Sequence, residues 1–170
     1  MVTIDPGMVF GTAEHETTRG SLRLMDRALS PGETLLDAGC GSAILAISAA
    51  RLGAHRVLPV DVDPYACEAA RENMAVNDVA DSVGIEAAAV TSDWLYGQRP
   101  FDGILANIQA TVLVPLLKSL TGALRPRGWF ILSGITEEEW PGVSWAAAVL
   151  SFGLEHVDAE REWRTGWFTR

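Results

Sequence analysis

Five residues have the types and the spacing to do chemistry together: Asp37, Gly39, Gly41, Asp61 and Asn107. The run Asp37-Ala38-Gly39-Cys40-Gly41-Ser42 sets two glycines after an apolar segment and just ahead of Ile44-Leu45-Ala46-Ile47. Glycine reaches backbone angles closed to other residues and lets a ligand approach the main chain with no Cβ in the way. A helix opening beyond it turns unpaired N–H groups toward that ligand. A dinucleotide loop reads G-x-G-x-x-G and lays a pyrophosphate on the helix N-terminus, but Ile44 stands here in the third glycine's place. Asp37 would repel a diphosphate and attract an ammonium or sulfonium group. S-adenosylmethionine carries both cations and no phosphate, so Asp37 tips the choice toward it. Asp61 lies 22 residues after Gly39, where a carboxylate accepts hydrogen bonds from the two ribose hydroxyls of either ligand class. Asn107 ends the apolar run Phe101 to Ala106, at the sheet edge where ligands of open α/β folds collect. Methyl transfer is an in-line displacement by a neutral nucleophile, so the Asn107 amide oxygen suits orienting an amine lone pair without a charged base.

These residues need strands and helices in alternation to hold them. Thr34 to Ala38 is bounded by Pro31-Gly32 and Gly39, as a short core strand should be, and Ile44 to Leu52 follows at helical spacing with Gly53 as its stop. Arg56 to Asp61 is a second strand in which Pro59 predicts a bulge or a shortening. Asp63-Pro64 reads as a helix cap with proline at the first helical position, opening a helix over Tyr65 to Asn77. Val83 to Ala88 is a third strand, Phe101 to Asn107 a fourth and Trp129 to Ser133 a fifth. Further helices are expected over Val112 to Leu124 and from about Ser144 to Phe152, then a hairpin of Leu154 to Glu162 and Trp163 to Thr169. The result is a Rossmann-like α/β fold with a mostly parallel sheet, right-handed crossovers and helices on both faces. Thr91-Ser92-Asp93-Trp94 lies where such a fold holds adenine, with Asp93 able to accept the exocyclic amine. Read without a ligand, the same stretch is a solvated loop anchored by Trp94.

The stretch before the first strand is dense in polar candidates. Asp5-Pro6-Gly7 through Phe10-Gly11-Thr12 is turn-rich, and Thr18, Leu22, Met25 and Leu29 then follow at helical spacing. Phe10, Thr12, His15, Thr17 and Thr18 gather around the first turn of that helix, as a lid over a cofactor would need. Taken singly, Thr12 and His15 read as capping residues. No residue stands out as a general base, and His15 is the one candidate.

Composition bounds the rest. A chain of 170 residues with 48% hydrophobic content is expected to fold as one domain, residues 1–30 forming the lid and helix and residues 31–170 the core. A net charge of −9 gives no broad footprint for nucleic acid. Cys40 and Cys67 form neither a disulfide nor a metal pattern, and with no long apolar run or leader in view the cytoplasm is the default and no membrane partner is expected. Most of the six tryptophans read as core or edge packing.

The pattern as a whole is more specific than any one loop. Asp5-Pro6-Gly7 through Phe10-Gly11-Thr12, His15, Thr17-Thr18, Asp37-x-Gly39-Cys40-Gly41-Ser42-x-Ile44-Leu45-Ala46-Ile47, Asp61-Val62-Asp63-Pro64 and Ala106-Asn107-Ile108 resemble the catalytic domain of the PrmA family over nearly the whole chain. That resemblance implies a class I methyltransferase fold of seven strands with one antiparallel strand inserted by the terminal hairpin. It also implies S-adenosylmethionine as cofactor and the lysines and N-terminal amine of a large-subunit ribosomal protein as substrate. The family's cofactor contacts would fall on Thr18 at the methionine end, Gly39 at its backbone, Asp61 at the ribose and Asn107 on the face where the amine arrives. The chain departs from the family in Ala43, where a glycine is usual, and in Ala13-Glu14 and Glu16, where small residues and proline are usual. It also opens at the catalytic signature, whereas the ribosomal-protein enzymes carry a separate recognition domain before it, which leaves an excised domain and a stand-alone relative with another target both open. Three functions follow: methyl transfer to a protein amine, methyl transfer to a small molecule, and nucleotide binding without catalysis.

Overall fold

The computed structural model of the protein describes residues 2–5, 14–98 and 100–170. Phe10 and Thr12 lie outside the described residues. The elements run α1 (Glu16–Ala28), β1 (Thr34–Ala38), α2 (Ile44–Arg51), β2 (Arg56–Asp61), α3 (Pro64–Val76), β3 (Glu86–Ala87), α4 (Ser92–Tyr96), β4 (Phe101–Asn107), α5 (Ala110–Gly122), β5 (Leu124–Thr136), α6 (Trp140–Val149), β6 (Gly153–Glu160) and β7 (Trp163–Thr169). The strands form one sheet in the order β3-β2-β1-β4-β5-β7-β6. Strands β1 to β5 pair in parallel, and β7 runs antiparallel between β5 and β6. This is the mostly parallel seven-stranded sheet with a closing antiparallel hairpin that the sequence predicts.

Side chains alternate across the sheet and build a core on each face. Leu36, Ile104, Phe130 and Leu132 face α5 and α6, while Leu35, Leu105 and Ile131 face α1, α2 and α3. Winding leaves β1 toward β2 on one side and toward β4 on the other, so the carboxyl ends of β1 and β4 meet at the point where strand order reverses. A crevice forms there because the crossovers depart in opposite directions.

Helix α1 spans the β5, β7 and β6 end of one face and is tied to its edge by charge. Arg19, Arg23 and Arg27 recur every fourth residue, and they meet Glu160, Asp158 and His156, which recur every second residue on β6. Four helical residues rise about 6 Å and two strand residues about 6.7 Å, so the two series stay in step. Arg23 Nη2 lies 2.6 Å from Asp158 Oδ1 and 2.7 Å from Glu160 Oε2. The Arg19 and Arg23 guanidiniums hold the Glu160 carboxyl down at about 2.

Five expectations are corrected. Pro59 produces no bulge, because β2 stays in continuous register with β1 and Asp37 pairs Pro59. Val57 N–H donates to Ser82 O at 3.0 Å, so the alternate position Pro59 turns its missing donor to the same side. There the register sets Pro59 beside Ile85, outside β3, which is only two residues long and starts opposite Val60. The third strand is thus shorter than Val83 to Ala88, with Val83 making only an isolated bridge to Val57. Strand β5 is longer than expected and absorbs Arg125-Pro126-Arg127-Gly128 as an irregularity, two steps along β4 matching five along β5. Helix α6 starts at Trp140, because Pro141 occupies a first-turn position where no intrahelical donor is needed. The stretch around Asp93 is the short helix α4, capped by the Thr91 hydroxyl.

Candidate functional site

Two carboxylates shape the loop between β1 and α2. Gly39, Gly41 and Ala43 all take left-handed backbone angles, at φ 75°, 52° and 62°. Ala43 therefore adopts a conformation that glycine accepts more freely. Gly41 N–H donates to Asp61 Oδ2 and Asp63 N–H to Asp61 Oδ1, both at 3.0 Å. Ala46 N–H, in the first turn of α2, donates to Asp37 Oδ2 at 3.1 Å. These donors are among those with which a pyrophosphate loop grips its ligand. Here the protein's own carboxylates take the Gly41 and Ala46 donors.

Asp37 is buried, and its Oδ1 has no hydrogen-bond partner among the described residues. Burial pushes its carboxyl up to about 7, with the nearby Asp61 charge adding to the rise and the Ala46 N–H opposing it. The neighbouring Cys40 thiol is likewise pushed up by burial.

Two cavities meet at the end of β4. One, of about 420 Å³, is lined by Ala38, Gly39, Gly41, Asp61, Ala88, Val90, Asn107 and Leu116 among others. The second, of about 400 Å³, is lined by His15, Thr17, Asn107, Ile108, Gln109, Val112, Gly134 and Trp163. Asn107, Ile108 and Val112 belong to both. Asn107 Nδ2 donates to Thr17 Oγ1 at 3.2 Å, and its Oδ1 is buried with no partner among the described residues. A buried carbonyl oxygen without a donor is unfavourable unless a ligand supplies one. A larger concavity of about 520 Å³ lies at the opposite sheet edge, among Thr34, Arg56, Phe101 and Arg125 at the amino ends of their strands, and takes no part in this arrangement.

Of the residues singled out in the sequence, Gly39, Gly41, Asp61 and Asn107 share the first cavity. Thr18 and Asp37 line neither cavity, and the buried Thr18 hydroxyl has no partner among the described residues. Asp93 is exposed on α4 and is not brought to the site. Trp94 instead anchors that helix by donating Nε1–H to Glu86 Oε1 at 2.7 Å.

The second cavity joins His15, Thr17 and Asn107, which the sequence singles out, to residues of β5 and β7 whose part in the site it does not show. Ser133, buried on β5, donates its hydroxyl to Thr17 O at 3.1 Å and contacts Thr165 Oγ1 on β7 at 2.7 Å, pinning the first turn of α1 to the sheet. Gly134 has φ 79°, and a Cβ on it would lie 2.7 Å from Ile108 O. Trp163 stands edge-on to His15, with ring centroids 5.2 Å apart. A left-handed glycine at a strand's end was the only local signal among them.

The sequence of the chain matches the family described as ribosomal protein L11 methyltransferase (PrmA) over residues 1–170. The chain belongs to that family. The ribosomal protein L11 methyltransferase of Syntrophomonas wolfei is 37% identical over 163 residues, covering 96% of this chain and 52% of that protein. The chain thus spans about half the length of the curated relatives it matches. The crystal structure of ribosomal protein L11 methylase from Lactobacillus delbrueckii subsp. bulgaricus superposes with a TM-score of 0.89 at 34% identity, over 98% of this chain and 83% of that one. An RNA methyltransferase from Salinibacter ruber, solved with S-adenosyl-L-homocysteine, shares the fold at a TM-score of 0.70 and 18% identity, over 94% of this chain and 93% of that one. The glycine loop, Asp61 and Asn107 of this PrmA-family chain therefore stand on a class I methyltransferase fold.

Proposed function

We propose that this PrmA-family domain transfers a methyl group from S-adenosylmethionine to the nitrogen of a protein amine, a lysine side chain or an N-terminal amine, with a ribosomal protein as the substrate. One observation carries the reading: Asn107 lines both cavities, and its buried Oδ1 has no hydrogen-bond partner among the described residues. When bound, S-adenosylmethionine supplies an electrophilic methyl group on a cationic sulfur. The residues present suit that cofactor. Gly39 closes on the Ile108 side chain so tightly that a Cβ would lie 2.5 Å from it, leaving the loop backbone open to the first cavity. Asp61 keeps acceptor capacity on both oxygens for a ribose diol, and Ala88, Val90 and Leu116 provide an apolar wall for a base. Thr18 lines neither cavity, and only its buried hydroxyl, without a partner among the described residues, supports the methionine end for it.

The second cavity suits a neutral amine. Among the described residues, its lining has no carboxylate and no lysine or arginine. A lysine amine, with a reference pKa of about 10.4, loses affinity for its proton when it leaves water for such a site. Asn107 Oδ1 then accepts one amine N–H and turns the lone pair toward the first cavity. The walls of Trp163, Ile108 and Val112 take the aliphatic stem. A cytoplasmic setting fits the free, buried Cys40 and Cys67.

Calorimetric titration with S-adenosylhomocysteine, beside NAD as control, tests the cofactor half of the reading. Tight binding of S-adenosylhomocysteine alone is expected. Binding of NAD alone, or of neither, overturns it.

A further inference from the structure

We infer that His15 is a positioning residue that decides which end of the Asn107 amide faces the amine. The inference rests on the reading of Asn107 given above and adds what fixes its orientation. The two ends of an amide have nearly the same shape, so only the hydrogen bonds around it select which one points into the cavity.

The selection starts at the helix cap. His15 is the N-cap of α1, and its Nδ1 accepts from Thr17 N–H at 3.3 Å. A ring nitrogen that accepts carries no proton, so Nδ1 is the bare nitrogen and the neutral ring holds its proton on Nε2. Thr17 Oγ1 lies 2.8 Å from the same Nδ1. Facing an acceptor, the hydroxyl must donate to it, and a hydroxyl has only one hydrogen to give. Toward Asn107, 3.2 Å away on its other side, Thr17 Oγ1 can then only accept. It therefore takes the NH₂ end of the amide and leaves Oδ1 pointing elsewhere, unpartnered among the described residues. The bond from Ser133 Oγ to Thr17 O holds this turn of α1 at its distance from β4. The order of donors thus runs from Asn107 to Thr17 to His15, and the cap at one end sets the reactive face at the other. Methyl transfer needs Oδ1, an acceptor of amine N–H. The NH₂ end would repel those hydrogens.

The role differs from that of a general base, and substitutions separate the two. His15→Asn keeps a strong cap whose carbonyl accepts from both Thr17 N–H and Thr17 Oγ–H, but has no ring to carry a proton. His15→Ala and Thr17→Val break the chain, and Thr17→Ser restores it. With S-adenosylmethionine and ribosomal protein L11 as the probe substrate, His15→Ala and Thr17→Val are expected to lower kcat roughly ten- to hundredfold with little change in KM for the cofactor. His15→Asn and Thr17→Ser are expected to recover most of that loss. Long-range ¹H–¹⁵N spectra of the unmodified chain, which need no turnover, should show His15 protonated on Nε2 and bare at Nδ1. A proton on Nδ1 overturns the inference, as does an inactive His15→Asn, which would make the ring itself the base. Failure of the wild-type chain to bind S-adenosylhomocysteine would instead strike the cofactor reading and leave the tautomer measurement standing.

Discussion

Burial keeps a proton on Asp37 up to about pH 7 in the folded chain, whereas the unfolded chain gives it up near pH 4. Asp37 therefore favours folding fully below about pH 4, and that contribution is lost as pH rises to about 7. Three pH units correspond to as much as about 4 kcal/mol. Asp37→Asn keeps an acceptor for Ala46 N–H without the titration. It is predicted to be more stable than the parent above pH 7 and to lack that part of the pH slope, which thermal melts across pH 4 to 8 would show. An unchanged slope would mean that Asp37 titrates normally. The two residues of the first cavity should separate kinetically. Asp61→Ala is predicted to weaken S-adenosylhomocysteine binding by about 1–3 kcal/mol through lost charge-assisted hydrogen bonds. Asn107→Ala is predicted to reduce kcat more than cofactor affinity. The opposite pattern would exchange their roles.

Elements were legible where a single periodicity ran from one break to the next. Thr34 to Ala38, Arg56 to Asp61, Phe101 to Asn107 and Trp163 to Thr169 are the strands the sequence predicts, because each is an apolar or alternating run ending at a turn signal. Legibility failed where proline or glycine sits inside an element. The fifth strand was expected only from Trp129 but takes Pro126 and Gly128 into its irregular start, and the last helix was expected from about Ser144 but takes Pro141 into its first turn. At the site, Gly39, Asp61 and Asn107 were legible because each stands at the carboxyl end of a strand. Ser133, Trp163 and Thr165 were not, because β5 and β7 bring them to the start of α1 from more than 110 residues away in the chain. Asp37 was expected to face a cation and instead lies buried against the backbone of α2. Gly134 tests how far these elements set the site. Gly134→Ala places a methyl against the Ile108 backbone at a left-handed φ. It is predicted to lower stability by about 1–3 kcal/mol and to lower kcat with it, as Ile108 carries Asn107 out of place. Full activity in a folded Gly134→Ala variant would show that the end of β4 tolerates the shift.

Across the molecule, the order of the strands brings the chemistry together. The reversal between β1 and β4 sets the glycine loop and Asn107 side by side, and the inserted β7 presses Trp163 and Thr165 against α1. In the proposed reading, one cavity takes the cofactor and the next the amine, and Asn107 lines both. A net charge of −9 would favour the approach of a basic substrate, at a range that salt shortens. The most direct test is intact-mass spectrometry of ribosomal protein L11 after incubation with the chain and S-adenosylmethionine, followed by mapping of the modified residues. Added mass in whole methyl units, confined to lysine side chains or the N-terminal amine and greatly reduced by Asn107→Ala, is predicted. Methyl groups on oxygen, carbon or sulfur, or no added mass from a chain that binds S-adenosylhomocysteine tightly, would contradict transfer to a protein amine.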